Sequence, residues 1–151
     1  MARRFTSILI TAAITLAAVG CGGDEELSDP RKTVISLFGA MARNDQAQLT
    51  YLLDIPELMN SLNEDYALQT DQPRMLFSPE DVLYDLTGDG RTKEAWFSLQ
   101  RIIGKTEITG EETATVTVTF VDKEASRGYM SRFGLHLVGD HWKIYSFRTV
   151  R

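Results

Sequence analysis

The chain has a single cysteine, Cys21, among its 151 residues, so it cannot form an internal disulfide. Its fold must therefore be stabilised by a hydrophobic core. The two histidines and the cysteine do not form a zinc-binding spacing, and no phosphate-binding glycine loop or Gly-x-Ser-x-Gly elbow occurs. We expect neither a metal nor a cofactor. The formal net charge of −5 argues against nucleic acid as a partner.

The chain opens with a leader in which Arg3 and Arg4 precede an apolar stretch, residues 5–19, that is too short to span a bilayer comfortably. Small residues before Cys21 resemble a bacterial lipobox. This resemblance implies cleavage between Gly20 and Cys21 and a diacylglyceryl group on the cysteine sulfur. The alternative is an uncleaved anchor helix that ends in a free thiol.

Three segments follow from this reading: a lipoprotein signal peptide over residues 1–20, a lipidated acidic tether over residues 21–28, and a single domain over residues 29–151. The lipid on Cys21 is then the membrane anchor, because the acidic chain has no polybasic hold on anionic lipid. Gly22 and Gly23 stand where lipoproteins of this kind retained at the inner membrane carry Asp. We therefore expect a cell-envelope protein on the periplasmic side of the outer membrane, if the cell has two membranes.

The first half of the domain has the pattern of packing helices. Asp29 and Pro30 are start signals for a first helix that ends at Asn44-Asp45, and Ser78-Pro79 are the same signals for a later one. Short helices are predicted around Leu49 and Leu53, from Asp54-Ile55-Pro56 onward, and over residues 92–101. A loop is predicted over residues 69–73.

The second half has a period of two, which indicates strands over residues 105–109, 113–121, 127–138 and 141–149. The predicted fold class is α+β, with N-terminal helices packed on a curved antiparallel sheet of about four strands. The helix pattern Asp29-Pro30 to Leu53, with Gly139-Asp140-His141-Trp142 much later, resembles the nuclear transport factor 2-like superfamily. That resemblance implies a cone-shaped α+β domain with a pocket at its mouth. A cystatin-like arrangement of helix on sheet is the alternative.

Two classes of function are compatible with this fold. The first is a non-catalytic binding or assembly module that captures a small apolar ligand or another envelope protein. The second is a small-molecule isomerase or dehydratase, which would need a pocket carboxylate. No acid/base pair is evident by spacing, so the sequence identifies no catalytic residue and favours the first class. The candidate carboxylates are Glu64, Asp65, Asp81 and Asp85.

Asp85-Leu86-Thr87-Gly88-Asp89-Gly90 resembles the opening of a calcium loop, but Trp96 stands where a bidentate carboxylate is required. We interpret this segment as a glycine turn after a helix.

Strand alternation predicts one further site. If Trp142 points inward, Tyr145 and Phe147 point outward, beside Met130 and His136 of the neighbouring strand. We expect this face to be a candidate interface for a homodimer or an envelope protein, with an ordinary solvated sheet face as the alternative.

Overall fold

The computed structural model describes residues 29–69 and 76–150, and the side chains of all of these except 65–69 and 150. The leader, Cys21 and the acidic tether lie outside the described residues, as does most of the predicted loop at residues 69–73. Within the described part of the chain, no helix is long and apolar enough to cross a membrane.

In the part of the chain that the structure describes, five helices precede four strands, which confirms the predicted α+β class. The helices are α1 (Pro30–Arg43), α2 (Gln46–Leu52), α3 (Ile55–Gln69), α4 (Pro79–Asp85) and α5 (Arg91–Phe97). The strands are β1 (Gln100–Ile108), β2 (Thr113–Asp122), β3 (Arg127–Val138) and β4 (His141–Val150). They form one antiparallel sheet in the order β1-β2-β3-β4. The described helices pack on one face of this sheet to form the core, and they contact the opposite face only at its border, through Tyr51 of α2.

Helix α1 begins and ends where the sequence predicts. The Asp29 carboxylate accepts a hydrogen bond from the backbone N–H of Arg31, and Pro30 occupies the first turn. Asn44 ends the helix in the left-handed conformation, and Asp45 caps α2 by accepting from the N–H of Gln48. Local capping interactions therefore fix both ends of the first connection.

Helix α1 packs its apolar stripe on the inner face of the sheet. Its buried residues include Val34, Leu37, Phe38 and Met41, whereas Ile35 is exposed. The residues that alternate inward along β2 complete this core, and they are Ala114, Val116, Val118 and Phe120. Trp142 and Ile144 of β4 are also buried, in agreement with the predicted inward direction.

The boundary between α5 and β1 differs from the prediction. The helix ends at Phe97 and β1 begins at Gln100, so Ile103 belongs to the strand. Arg101 and Ile103 pair with Phe120 and Val118 of β2, and the alternation is interrupted by a bulge between Ile103 and Thr106. That bulge removes the simple period of two, which is why the start of β1 resembled the end of a helix.

A second bulge in β4 reverses the predicted direction of its last residues. Gly134 pairs with Ser146 and Leu135 pairs with Ile144, which leaves Tyr145 as the extra residue. From Ser146 onward the alternation is shifted by one position. The outward placement of Phe147 is therefore wrong: this side chain is 7% exposed and points into the core. Uninterrupted alternation from Trp142 predicts that Arg148 points inward, but Arg148 lies opposite Arg132 and is exposed.

The connection between α2 and α3 contacts the free edge of β4 at Ile144. Leu53 forms a parallel bridge with Ile144, and the N–H of Asp54 donates to the Ile144 carbonyl at 2.9 Å. This segment brings Asp54 to the border of the uncovered sheet face.

Candidate functional site

The space between the helices and the inner face of the sheet is filled by aromatic rings. The Trp96 ring stacks on Phe120 with centroids 5.3 Å apart and meets Phe147 edge-on at 5.2 Å. Phe133 and Phe147 are 4.9 Å apart, and Phe38 contacts Phe133 at 5.9 Å. Such pairs add to the stability that apolar burial supplies. The interior at this position is a packed core.

Arg101 closes one side of this aromatic cluster. Its guanidinium lies 4.0 Å from the Phe97 ring centroid and 5.4 Å from that of Phe38, and it donates to the Trp96 carbonyl at 2.8 Å. Partial burial lowers the pKa of Arg101. Tyr129 stacks on Phe120 at 5.0 Å, and partial burial raises the pKa of its phenol. Both side chains therefore border the core, Arg101 with its guanidinium and Tyr129 with its ring against the aromatic cluster.

Two of the four carboxylates considered for catalysis, Asp81 and Asp85, cap helices. The Asp81 carboxylate accepts from the N–H groups of Phe77 and Ser78, and Ser78 accepts from the Asp81 N–H, so the two form a capping box at the start of α4. Asp85 is buried and accepts from the hydroxyl and the N–H of Thr92 in the first turn of α5. Glu64 is exposed, and the side chain of Asp65 lies outside the described part of the chain.

The segment that resembled a calcium loop is a turn between α4 and α5. Gly88 has a φ of +53°, and its N–H donates to the side chain of Asn44 at 2.7 Å. A Cβ on Gly90 would come within 2.3 Å of the carbonyl oxygens of Tyr84 and Asp85, so this position requires glycine. Gly90 has no capping side chain of its own, and Asp85 caps α5 in its place. Within residues 29–69 and 76–150, no three His, Cys, Asp or Glu side chains are grouped to hold a metal ion.

A surface cleft of about 400 Å³ lies beside this turn, lined by Gly88, Asp89, Lys93, Glu94 and Phe97. Its lysine donates to Asn44 and its two acids are exposed. The cleft therefore combines charges of both signs.

The sheet face turned away from the helices has a more distinctive composition, and we call it the outer face. It is made of the outward residues of β2, β3 and β4: Thr113, Thr115, Thr117, Thr119, Met130, Arg132, His136, Val138, His141, Lys143, Tyr145 and Arg148. Three of the four residues predicted as an interface are on it, namely Met130, His136 and Tyr145. Phe147 is not, because the bulge in β4 turns its side chain into the core.

At one border of the outer face, residues before α3 meet β3 and β4. Nε2 of His136 lies 3.0 Å from Oδ2 of Asp54, close enough for an ion pair when the imidazole is protonated but without hydrogen-bond geometry. The Tyr51 ring packs on His141 with centroids 5.4 Å apart, and Nζ of Lys143 lies 6.0 Å from the same ring. Spacing along the strands could not predict these contacts, because Tyr51 and Asp54 belong to the helical half.

The bulge gives Tyr145 its position on the outer face. Its ring lies over Gly134 and 5.2 Å from the His136 ring. A Cβ on Gly134 would meet Ser146 Oγ at 2.4 Å and Tyr145 Cζ at 2.9 Å, so only glycine fits below the ring. A glycine inside a strand indicates a bulge or a close approach, and this signal at Gly134 could have revealed the shift.

The chain matches no protein-family model, and no curated protein is similar to it in sequence. The solved structures that are similar to it at low identity include the following two. An NTF-2-like protein of unknown function from Shewanella oneidensis MR-1 has 13% identity and a TM-score of 0.47, over 80% of this chain and 98% of that one. A putative calcium/calmodulin dependent protein kinase II association domain from Xanthomonas campestris has 12% identity and a TM-score of 0.46, over 77% of this chain and 80% of that one.

Proposed function

We propose that this protein is a lipid-anchored, non-catalytic module of the cell envelope that binds another envelope protein through its outer face. The observation that carries the proposal is the contrast between the two faces of the sheet. The inner face contacts a core filled by Phe38, Trp96, Phe120, Phe133 and Phe147. The outer face presents Met130, Tyr145 and several cations without a covering helix.

A protein partner fits this contrast better than a small apolar ligand does. A ligand of that kind needs a concave apolar cavity, and the rings occupy the place where the described part of the domain would offer one. A mixed surface of tyrosine, methionine, arginine and threonine is instead typical of protein interfaces. The enzyme alternative would need a carboxylate in a cavity, whereas Asp81 and Asp85 cap helices.

The anchor is the second part of the proposal, and it depends on the sequence. The lipobox-like Ala18-Val19-Gly20-Cys21 supports acylation of Cys21, and Gly22 supports delivery to the outer membrane on its periplasmic side. Fractionation of cells on a density gradient tests this part. Wild-type protein should sediment with outer membranes and have acyl mass on Cys21, and Cys21→Ser should remove both. Soluble wild-type protein without acyl mass would contradict the anchor.

Site-specific photocrosslinking in cells tests the binding part. We would place a benzophenone amino acid at Met130, which is 46% exposed on the outer face, or at Ile35, which is 43% exposed on α1. These positions are matched in exposure and lie on opposite sides of the sheet. We expect adducts with a discrete envelope protein from position 130 and none from position 35. Equal crosslinking from both positions, or none from position 130, would overturn the proposal.

A further inference from the structure

Two arginines lie side by side on the outer face with no acid to balance them. Arg132 of β3 and Arg148 of β4 are directly paired in the sheet register, and both are exposed. Like charges directly opposite each other destabilise an antiparallel pair. Thr117 of β2 lies next to Arg132 in the same row, so the row contains two guanidinium groups and one hydroxyl.

The two strands that hold this arginine pair do not compensate its charge. β3 and β4 contain no aspartate or glutamate in their sequences, and no ion pair to Arg132 or Arg148 occurs among residues 29–69 and 76–150. The acids of this face lie elsewhere: Glu107 of β1 is opposite Thr115, and Asp54 is beside His136. A second row contains His136 and Lys143, paired four residues further along β3, and Lys143 is its permanent cation. At the rise of an extended strand, the two rows are about 13 Å apart. A protein with a formal charge of −5 thus concentrates cations on one sheet face.

This arrangement favours one kind of occupant. A second copy docked by two-fold symmetry would bring the same cations against each other, which is electrostatically unfavourable. Recognition of anionic lipid takes clusters of about four to eight Lys or Arg. The outer face has three, namely Arg132, Lys143 and Arg148, so it is better suited to a few well-placed carboxylates.

We infer that the outer face binds an acidic protein surface, with Arg132 and Arg148 receiving one group of carboxylates and Lys143 receiving a second about 13 Å away. Tyr145 lies between the two rows, where an aromatic side chain can pack against the partner. This inference rests on the proposed function, and it adds the chemistry of the partner. The cost of the arginine pair in the free protein is then offset on binding.

The test uses the full lipidated chain in nanodiscs of phosphatidylcholine and a fluorescent oligoglutamate peptide as the probe, measured by anisotropy. The double variant Arg132→Gln/Arg148→Gln removes the arginine row. The matched control is Arg91→Gln/Lys123→Gln, which changes the net charge equally at exposed positions on α5 and after β2. We expect about tenfold weaker binding for the first variant and less than a twofold change for the control. Added salt should weaken the wild-type interaction.

Equal weakening in both double variants would overturn the inference, because the effect would then be one of net charge. Loss of peptide binding when phosphatidylglycerol is added to the nanodiscs would show that the face prefers lipid, and would also overturn it. Crosslinking from position 130 to a second copy of the chain would do the same.

The crosslinking experiment separates this inference from the proposed function. If the adduct from position 130 persists unchanged in the Arg132→Gln/Arg148→Gln background, the partner is not recognised through its acids and the inference fails while the proposed function stands. If the wild-type chain gives no adduct in cells but binds the peptide, the proposed function fails instead.

Discussion

Nε2 of His136 lies 3.0 Å from Oδ2 of Asp54, so a residue from the strand half contacts one from the helical half at the border of the outer face. The N–H of Asp54 also donates to the carbonyl of Ile144 on β4. The connection between α2 and α3 is therefore attached to the sheet by a backbone hydrogen bond and by a side-chain contact. The two attachments have different energetic weights.

The side-chain contact should contribute little to stability. Asp54 and His136 are 23% and 29% exposed, so solvent screens their attraction. We expect a coupling free energy of about 1 kcal/mol or less. A double-mutant cycle of Asp54→Asn and His136→Gln, measured by urea unfolding, gives this value directly. A coupling several times larger would show that the pair is an essential structural element.

Phe147 and Tyr145 should differ sharply in their contribution to stability. Phe147→Ala removes a buried ring that contacts Trp96 and Phe133, and should cost about 3 to 5 kcal/mol. Tyr145→Ala removes a partly exposed ring and should cost about 1 kcal/mol. Urea unfolding of both variants measures the difference. The reverse order would contradict the bulge at Tyr145.

Asp85 should stabilise α5 through the cap that Gly90 cannot supply. Asp85→Ala removes the acceptor for the hydroxyl and the N–H of Thr92, and should cost about 1 to 2 kcal/mol. Thr92→Val removes the hydroxyl donor alone and should cost less. Thermal unfolding monitored by circular dichroism tests both. An Asp85→Ala variant as stable as the wild type would show that the cap is unimportant.

Tyr129 should make the fold less stable in alkaline solution. Burial raises the pKa of its phenol above the ordinary value of 10.0, so the folded state favours the neutral ring. This contribution is complete below pH 10 and is lost as the pH rises through the folded pKa, because the unfolded chain releases the proton first. Urea midpoints between pH 8 and 11 should fall less steeply for Tyr129→Phe than for the wild type. Identical slopes would contradict this role.

The helical half was predictable because its signals are local. A cap such as Asp29 with Pro30, or Ser78 with Asp81, acts within one turn of backbone, so neighbouring residues in the sequence determine the contact. The alternation of threonine with apolar residues in β2 is equally local, and the structure places the apolar set in the core.

The sheet bulges were not predictable in the same way. Strand periodicity assumes uninterrupted pairing, and one extra residue in β4 exchanges the two faces from that point on. Phe147 and Arg148 were consequently assigned to the wrong sides. Gly134 was the available signal, but its meaning depends on the residue that lies above it.

The candidate site was predictable only in part. Alternation correctly placed Met130, His136 and Tyr145 together, since these residues precede the shift or form it. To predict the arginine row, one must know the register of three strands. To predict the contact of Asp54 with His136, one must know how α2 and α3 pack beside β4. Neither follows from spacing along one element.

The contact of Leu53 and Asp54 with the edge of β4 affects how neighbouring copies of the chain can associate. A strand with free backbone groups can recruit a strand from a neighbouring molecule and start a fibril. At β4 the Ile144 backbone is engaged by Leu53 and Asp54, and at β1 the Arg31 guanidinium donates to the Ile103 carbonyl beside a bulge. Neither edge therefore offers an uninterrupted row of free backbone groups to a strand of a neighbouring copy.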